Sequence, residues 1–556
     1  MSAQAGEKLP TSKYQCYHEF HEEAYDVGVV DDDGAVLYEE PYGGLLNDIV
    51  RYNDVAKLAQ YLENSARATF GHVEVHYWDP FYVAAESGST KALCLLLKYY
   101  NAHLTDADMI PLAKRKFRLL NVACLNARVE TALFLLDTQP ALASLHARDD
   151  SSMWRKDGNT PLLSTAFSFT YWPPGFEPED DLAISSQQTR AEELMNQLLD
   201  RGASARDVLT SDLNGQDISY TVLSLAISRA SYDLVKRLIA EGADMHATTV
   251  HWINFFSSQP EDEIAHGVTP LHLGSLHANL DGVQALFDHR GDKATVAEMV
   301  LFSDSAGRLP LHWAARGADA PEHYYMLPRN EIVTQVANTI KLLLTIDQDT
   351  INARDHKGYN ALWYAVLGFR ERINQHLSVL KILFEYGADG NICNQDGLNM
   401  LHLLGFTQDG EAIDPVIIER LVAHGANIND IDIHGNTPLN QMAINLRQVD
   451  AVRALLSCGA CMRVKNSRGD TPLHQAAQGK VFPNKYEQDI DWHVPLDAKI
   501  RAQDEMMKAL KEAGDELSMN EKNADGKTPQ QLQEETRNKW RHEEQERLSR
   551  ISTNHR

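Results

Sequence analysis

The chain has 556 residues, 43% hydrophobic and 23% charged, which supplies a large core and excludes wholesale disorder. At about 150 residues per domain this length implies three or four domains, unless the chain is one elongated repeat array. Its 78 acidic and 52 basic residues leave a net charge of −26, which argues against a general nucleic-acid binder and against docking on anionic membrane.

In chain order, the first 40 residues hold ten acids and only Lys8 and Lys13 as bases. VGVV (27–30), DDDG (31–34) and AVLYEE (35–40) read as a β-hairpin, with Asp33-Gly34 able to take a primed turn. This extension either caps the first helices or serves as an acidic arm; the cap is favoured. No apolar h-region opens the chain, and no apolar run approaches the length needed to span a bilayer. The six cysteines lack disulfide-framework spacing, which suits a reducing compartment. The expected setting is the cytoplasm. The nucleus is the alternative, because Lys114-Arg115-Lys116-Phe117-Arg118 reads either as a solvated helix face or as an import signal.

From residue 48 onward the chain repeats itself. DIVRYNDVAKLAQYLEN (48–64) is an incomplete first copy, followed by related segments at 79–100, 118–137, 157–166 with 193–204, 221–247 and 266–287. The signal then sharpens. DSAGRLPLHWAARG starts at Asp304, DHKGYNALWYAVLG at Asp355, NQDGLNMLHLLG at Asn394, DIHGNTPLNQMAI at Asp432 and NSRGDTPLHQAAQG at Asn466. A second phrase interleaves with these, as in ILFEYGADGNI (382–392) and RLVAHGANIND (420–430). NADGKTPQQL (523–532) looks like a C-terminal half-copy, and 536–556 is a charged tail with Trp540 as its anchor.

The two phrases, D-x-x-G-x-T-P-L-H-x-A and L-L-x-x-G-A-x-x-N, recur in fixed order, and the chain resembles the ankyrin-repeat family over most of its length. The resemblance implies an all-α solenoid of about eleven helix-turn-helix units with short β-hairpin fingers, running from 41 to 535. The residue chemistry agrees. Thr caps a helix that Pro opens, and Leu and Ala recur at helical spacing. Gly242, Gly387, Gly425 and Gly459 are placed to end second helices in the left-handed region. The resemblance assigns His272, His312, His402 and His474 to backbone bonding rather than catalysis.

Units longer than the family's repeat carry insertions. Five are placed between first and second helices, at 167–190, 318–330, 368–377, 405–414 and 480–503, and so along one edge; 248–266 enlarges a finger. Tyr171, Trp172, Phe176, Trp252, Tyr324, Tyr325 and Trp492 lie in these insertions beside acids, as either a partner-binding rim or an edge-capping core. The leading reading is a non-catalytic protein-interaction scaffold whose acidic surface meets a basic partner face, with no cofactor and no metal. The rival is an unconventional enzyme or biosynthetic-pathway component with a pocket walled by the insertions, His323 and His493 being its best acid–base candidates. Gly526-Lys527-Thr528 is no phosphate loop, since Glu521 stands where its glycine is needed. Cys458 and Cys461 lack the second ligand pair of a zinc site, and His18 and His21 lack a third ligand.

Overall fold

The computed structural model describes residues 24–39, 44–64, 79–103, 117–149, 158–169, 181–213, 216–253, 263–292, 294–317, 329–369, 377–406, 411–482, 494–514 and 519–554, with short pieces at 13–14, 17, 111–112 and 115. The chain forms two compact units, Met1–His251 with Gln284–His289, and Trp252–Val283 with Arg290–Arg556.

The first unit opens with a hairpin, β1 (Tyr25–Val30) and β2 (Val36–Glu39). Its turn differs from the one expected. Gly34 has positive φ, +83°, but Asp33 does not, whereas a primed turn on Asp33-Gly34 needs positive φ at Asp33. The Asp31 carboxylate instead organises the turn by accepting from Asp33 N and Ala35 N, both at 2.9 Å. Five helix pairs follow. They are α1 (Gly44–Arg51) with α2 (Val55–Asn64), α3 (Pro80–Ser87) with α4 (Thr90–Ala102), α5 (Leu119–Leu125) with α6 (Val129–Thr138), α7 (Pro161–Phe167) with α8 (Asp181–Asp200), and α9 (Val222–Ala226) with α10 (Tyr232–Ala240). First helices pack on first helices from α1 to α9, and second helices on second helices from α2 to α8. Buried Leu, Val and Ala fill the space between the layers.

The hairpin covers the start of this array, with β1 against α2 and β2 against α1. Glu39 is fully buried there. Its carboxylate accepts from Leu45 N and Leu46 N at the start of α1 and from the Tyr61 hydroxyl, each at 2.9 Å. A carboxylate at a helix N-terminus satisfies orphan N–H groups and suits the helix dipole.

Strands β3 (Val208–Leu213) and β4 (Gln216–Thr221) form a six-pair antiparallel ladder, and Ser219 of β4 pairs with Val250 of β5 (Thr249–Ile253). Strand β6 (Glu263–Val268) lies in the second unit. The expected all-α architecture is therefore mostly helical but carries real sheet. The insertion at 248–266 does hold finger strands, β5 and β6. The finger at 208–221 is an addition to the sequence reading; Asn214-Gly215 between two extended-residue runs was its signal.

After β6 come α11 (Pro270–Leu276), α12 (Leu280–Asp288) and a short extra helix α13 (Val296–Leu301). The remaining pairs are α14 (Pro310–Arg316) with α15 (Arg329–Ile346), α16 (Ala361–Phe369) with α17 (Leu377–Glu385), α18 (Met400–Gly405) with α19 (Pro415–Ala423), α20 (Pro438–Met442) with α21 (Val449–Ser457), and α22 (Pro472–Ala477) with α23 (Leu496–Ala513). A single closing helix, α24 (Pro529–Asn554), packs on α22 and α23 and runs without a break through the expected boundary at 535/536. Trp540 is buried on it, and Arg537 ties it to Asp504 and Gln503 of α23.

The five insertions fall between the helices of their pairs, from α7 to α8, α14 to α15, α16 to α17, α18 to α19 and α22 to α23. Two are shorter than expected. Residues 181–190 are the first half of α8, and 496–503 are the start of α23, where Gln503 is buried and donates to Ala477 O at 2.7 Å. Charged residues in both stretches made helix look like loop.

Candidate interaction surface

Each finger of the second unit is built by one side chain. At Asp304 the carboxylate accepts from Ala306 N and Arg308 N, both at 2.9 Å, while Gly307 N donates to Asp304 O. Asp355, Asn394, Asp432, Asn466 and Asn523 repeat this arrangement, with Gly358, Gly397, Gly435, Gly469 and Gly526 all at positive φ. An Asx side chain holds the tight turn and glycine takes the left-handed corner. Neighbouring turns are joined by backbone bonds: His356 N to Ala306 O at 2.9 Å, Ile433 N to Asp396 O at 2.7 Å, Ser467 N to His434 O at 2.8 Å and Ala524 N to Arg468 O at 2.9 Å. The aromatic donor on the following helix steadies the Asp. Trp313 Nε1 donates to Asp304 at 3.1 Å and the Tyr364 hydroxyl to Asp355 at 2.6 Å.

The four histidines lock each finger to its helix. At His272, Nδ1 accepts from Thr269 N at 3.2 Å and Nε2 donates to Arg308 O, in the next turn, at 3.2 Å. His402 and His474 do the same, reaching Asn436 O at 3.0 Å and Lys527 O at 3.2 Å, and His312 reaches Ala353 O at 3.0 Å. One nitrogen accepts and the other donates, so each ring is neutral. Burial, the largest influence, pushes the pKa of His272 down to about 4 and those of His312, His402 and His474 below the usual value. Asn440 takes the same position after Thr437-Pro438-Leu439 and donates to Asp470 O at 3.2 Å.

The result is a rigid row of turns whose outward side chains are free to make contacts. Among them, Ile431 is 56% exposed and Ile433 65% exposed, on either side of Asp432. A β-branched residue at such exposure on a pinned turn presents apolar surface at low entropic cost.

Tyr171, Trp172, Phe176, Tyr324, Tyr325 and Trp492 lie outside the described residues, as do His18, His21, His323 and His493; Trp252 lies in β5 but its side chain is not among those described. Of the basic cluster, Arg115, Phe117 and Arg118 are among the described residues, and all three precede α5 rather than lying on a helix. Arg115 lies before α5, buried against Phe81, with its guanidinium paired to the Asp79 carboxylate that caps α3. Cys458 closes α21 and Cys461 is exposed just beyond it. Among the described residues no cluster of His, Cys, Asp and Glu could hold a metal ion, and no helix is long and apolar enough to cross a membrane.

A stack of helix pairs joined by pinned turns defines a helical repeat protein. Residues 371–466 and 412–483 match the family described as ankyrin repeats (3 copies), and the chain is an ankyrin-repeat protein. It is 30% identical over 158 residues to Intracellular phospholipase A2 of Caenorhabditis elegans, covering 27% of this chain and 14% of that protein. It is 26% identical over 305 residues to Rabankyrin-5 of Mus musculus, covering 54% of this chain and 20% of that one. The chain thus spans a fifth or less of the length of these relatives. Among solved structures, the ankyrin repeat domain of Bcl-3, a member of the IkappaB protein family, matches with a TM-score of 0.30 at 22% identity, over 45% of this chain and 91% of that one.

Proposed function

We propose that the chain is a non-catalytic protein-interaction scaffold that engages its partner along the fingers of the second unit. The carrying observation is the pinned row of turns with Ile431 and Ile433 exposed beside it. Ankyrin repeats generally mediate protein interactions. Cys393 Sγ donates to the Asp430 carboxylate at 3.1 Å, but burial and that carboxylate push the thiol up to about 12, so it stays protonated rather than acting as a nucleophile. The buried histidines are consumed in backbone bonds, so none is available as an acid–base group. With a net charge of −26 the partner face is basic and association weakens as salt rises. In this reading 1–40 caps the array, 41–535 is the scaffold, the aromatic residues of the insertions, led by Trp172, Tyr325 and Trp492, form a second contact rim, and the protein works in the cytoplasm or nucleus.

The test is affinity capture from cells with quantitative mass spectrometry, comparing the full chain with Ile431→Asp/Ile433→Asp and with a form lacking 170–180. That deletion spares α8. Loss of the same protein from the isoleucine variant, with its melting transition unmoved, is the expected outcome. An unchanged set of captured proteins refutes finger recognition, and loss only from the deletion assigns binding to the insertion rim instead.

A further inference from the structure

Among the described residues of the second unit, successive second helices pack side by side from α15 to α23, most loosely at one step. Helix α15 lies against α17, α19 against α21 and α21 against α23, whereas the backbones of α17 and α19 stay farther apart and meet at their C-terminal ends, where the Phe384 ring stacks on His424 with centroids 4.6 Å apart. Between the two helices runs a trough with a cavity of about 290 Å³. Its floor is apolar: Leu380 and Phe384 from α17, and Ile417 from α19, all buried. Its mouth is apolar as well. Leu377 and Val416, in the first turns of the two helices, are 36% and 48% exposed. The residues that line it from α17 are spaced i, i+3, i+4, i+7 and i+8, so the trough follows the full helix, nine residues or about 13 Å.

The rim carries the opposite charge to the chain as a whole. Lys381 and Arg420 both line the trough. Lys381 is shared with Glu385 at 3.8 Å, while the Arg420 guanidinium has no ion pair or hydrogen bond among the described residues.

We propose that this trough docks an amphipathic helix of a partner protein, two to three turns long, apolar on one face and acidic along its flanks. Its length matches the trough, its apolar i, i+3, i+4 and i+7 side chains fill the space left between α17 and α19, and its carboxylates meet Arg420 and Lys381. The site lies on second helices, apart from the fingers, and its occupant has the opposite charge to the basic partner face expected there. The two surfaces are therefore independent.

The experiment is selection of a displayed library of twelve-residue, helix-favouring peptides on the full chain, followed by fluorescence anisotropy with the enriched peptides. The expected winners have the four apolar positions and a net negative charge. Val416→Asp should weaken them at least tenfold without moving the melting transition. Arg420→Glu should weaken them about tenfold and strengthen the same peptides with lysine in place of the acids; this charge swap stands alone if Val416→Asp fails to fold. Ile431→Asp/Ile433→Asp should leave the affinity unchanged, so failure of finger recognition does not touch this result. Enrichment of basic peptides, winners insensitive to both trough variants, or no enrichment at all overturns the proposal.

Discussion

Replacing His272 with Asn should make the protein less sensitive to acid while leaving it nearly as stable at neutral pH. His272 is held neutral, with Nδ1 accepting from Thr269 N and Nε2 donating to Arg308 O. Burial lowers its pKa from 6.5 to about 4. The unfolded chain therefore takes up this proton first as pH falls, and the native state loses stability from about pH 6.5 down to about pH 4. At about 1.4 kcal/mol per pKa unit the full loss is about 3.4 kcal/mol, of which about 1.4 is gone by pH 5.5 and about 2.5 by pH 4.5. Asn has no titration in this range. The precedent is Asn440, which holds the same position and donates to Asp470 O. The assay is urea unfolding followed by far-ultraviolet circular dichroism at several pH values from about 7.5 to 4.5. His272→Asn should match the wild type within about 1 kcal/mol at the top of that range, and the acid-induced loss should be about 2.5 kcal/mol smaller at pH 4.5. Parallel curves for the two proteins would refute the claim that this ring resists protonation.

Two glycines separate backbone strain from crowding. Gly387→Ala places its methyl in open space but must hold φ near +82°, so it should cost about 1–2 kcal/mol in urea unfolding. Gly317→Ala keeps a helical φ of −48° but drives its Cβ into the Leu276 carbonyl, and should cost about 1–3 kcal/mol by displacing α14 from α11. Glu39→Ala removes the acceptor for Leu45 N, Leu46 N and the Tyr61 hydroxyl and should cost about 2–3 kcal/mol, read as faster amide exchange at Leu45 and Leu46. Unchanged exchange at those two amides would show that the hairpin does not hold α1.

The parts of the fold that were legible in the sequence are those whose causes are local. Gly242, Gly387, Gly425 and Gly459 have φ of +94°, +82°, +100° and +96°, as their place after each second helix required. The histidines were equally legible, because Thr-Pro-Leu-His puts the ring three residues after its N-cap and the same bond recurs in each unit. Arg115 was misread because its partner, Asp79, stands thirty-six residues earlier, and a run of bases gives no hint that one of them is buried. Residues 181–190 and 496–503 were misread for a related reason. Their polar sequences lack the repeat phrase, yet they simply lengthen α8 and α23.

The trough belongs to a third category. Leu377, Leu380 and Phe384 have the spacing of any amphipathic second helix, and so do Val416, Ile417 and Arg420. Read one helix at a time, each face predicts burial against a neighbour, and between α15 and α17, α19 and α21, and α21 and α23 that neighbour is close. Periodicity reports that a face is apolar; it carries no information about the distance to the next helix. That distance follows from how successive fingers stack, and the finger between these two helices is unusual. Gly390 N donates to His424 O at 2.7 Å, and a Cβ at Gly390 would press on the backbone after α19. The close approach at this end of α19 sets its C-terminus against the preceding finger, while its N-terminus and that of α17 carry the exposed Val416 and Leu377. A larger residue at 390 would push the end of α19 away and reshape the trough without altering any residue that lines it. Gly390→Ala should therefore change peptide affinity at the trough while the finger variants do not, and an affinity equal to that of the wild type would show that the trough's width is set elsewhere.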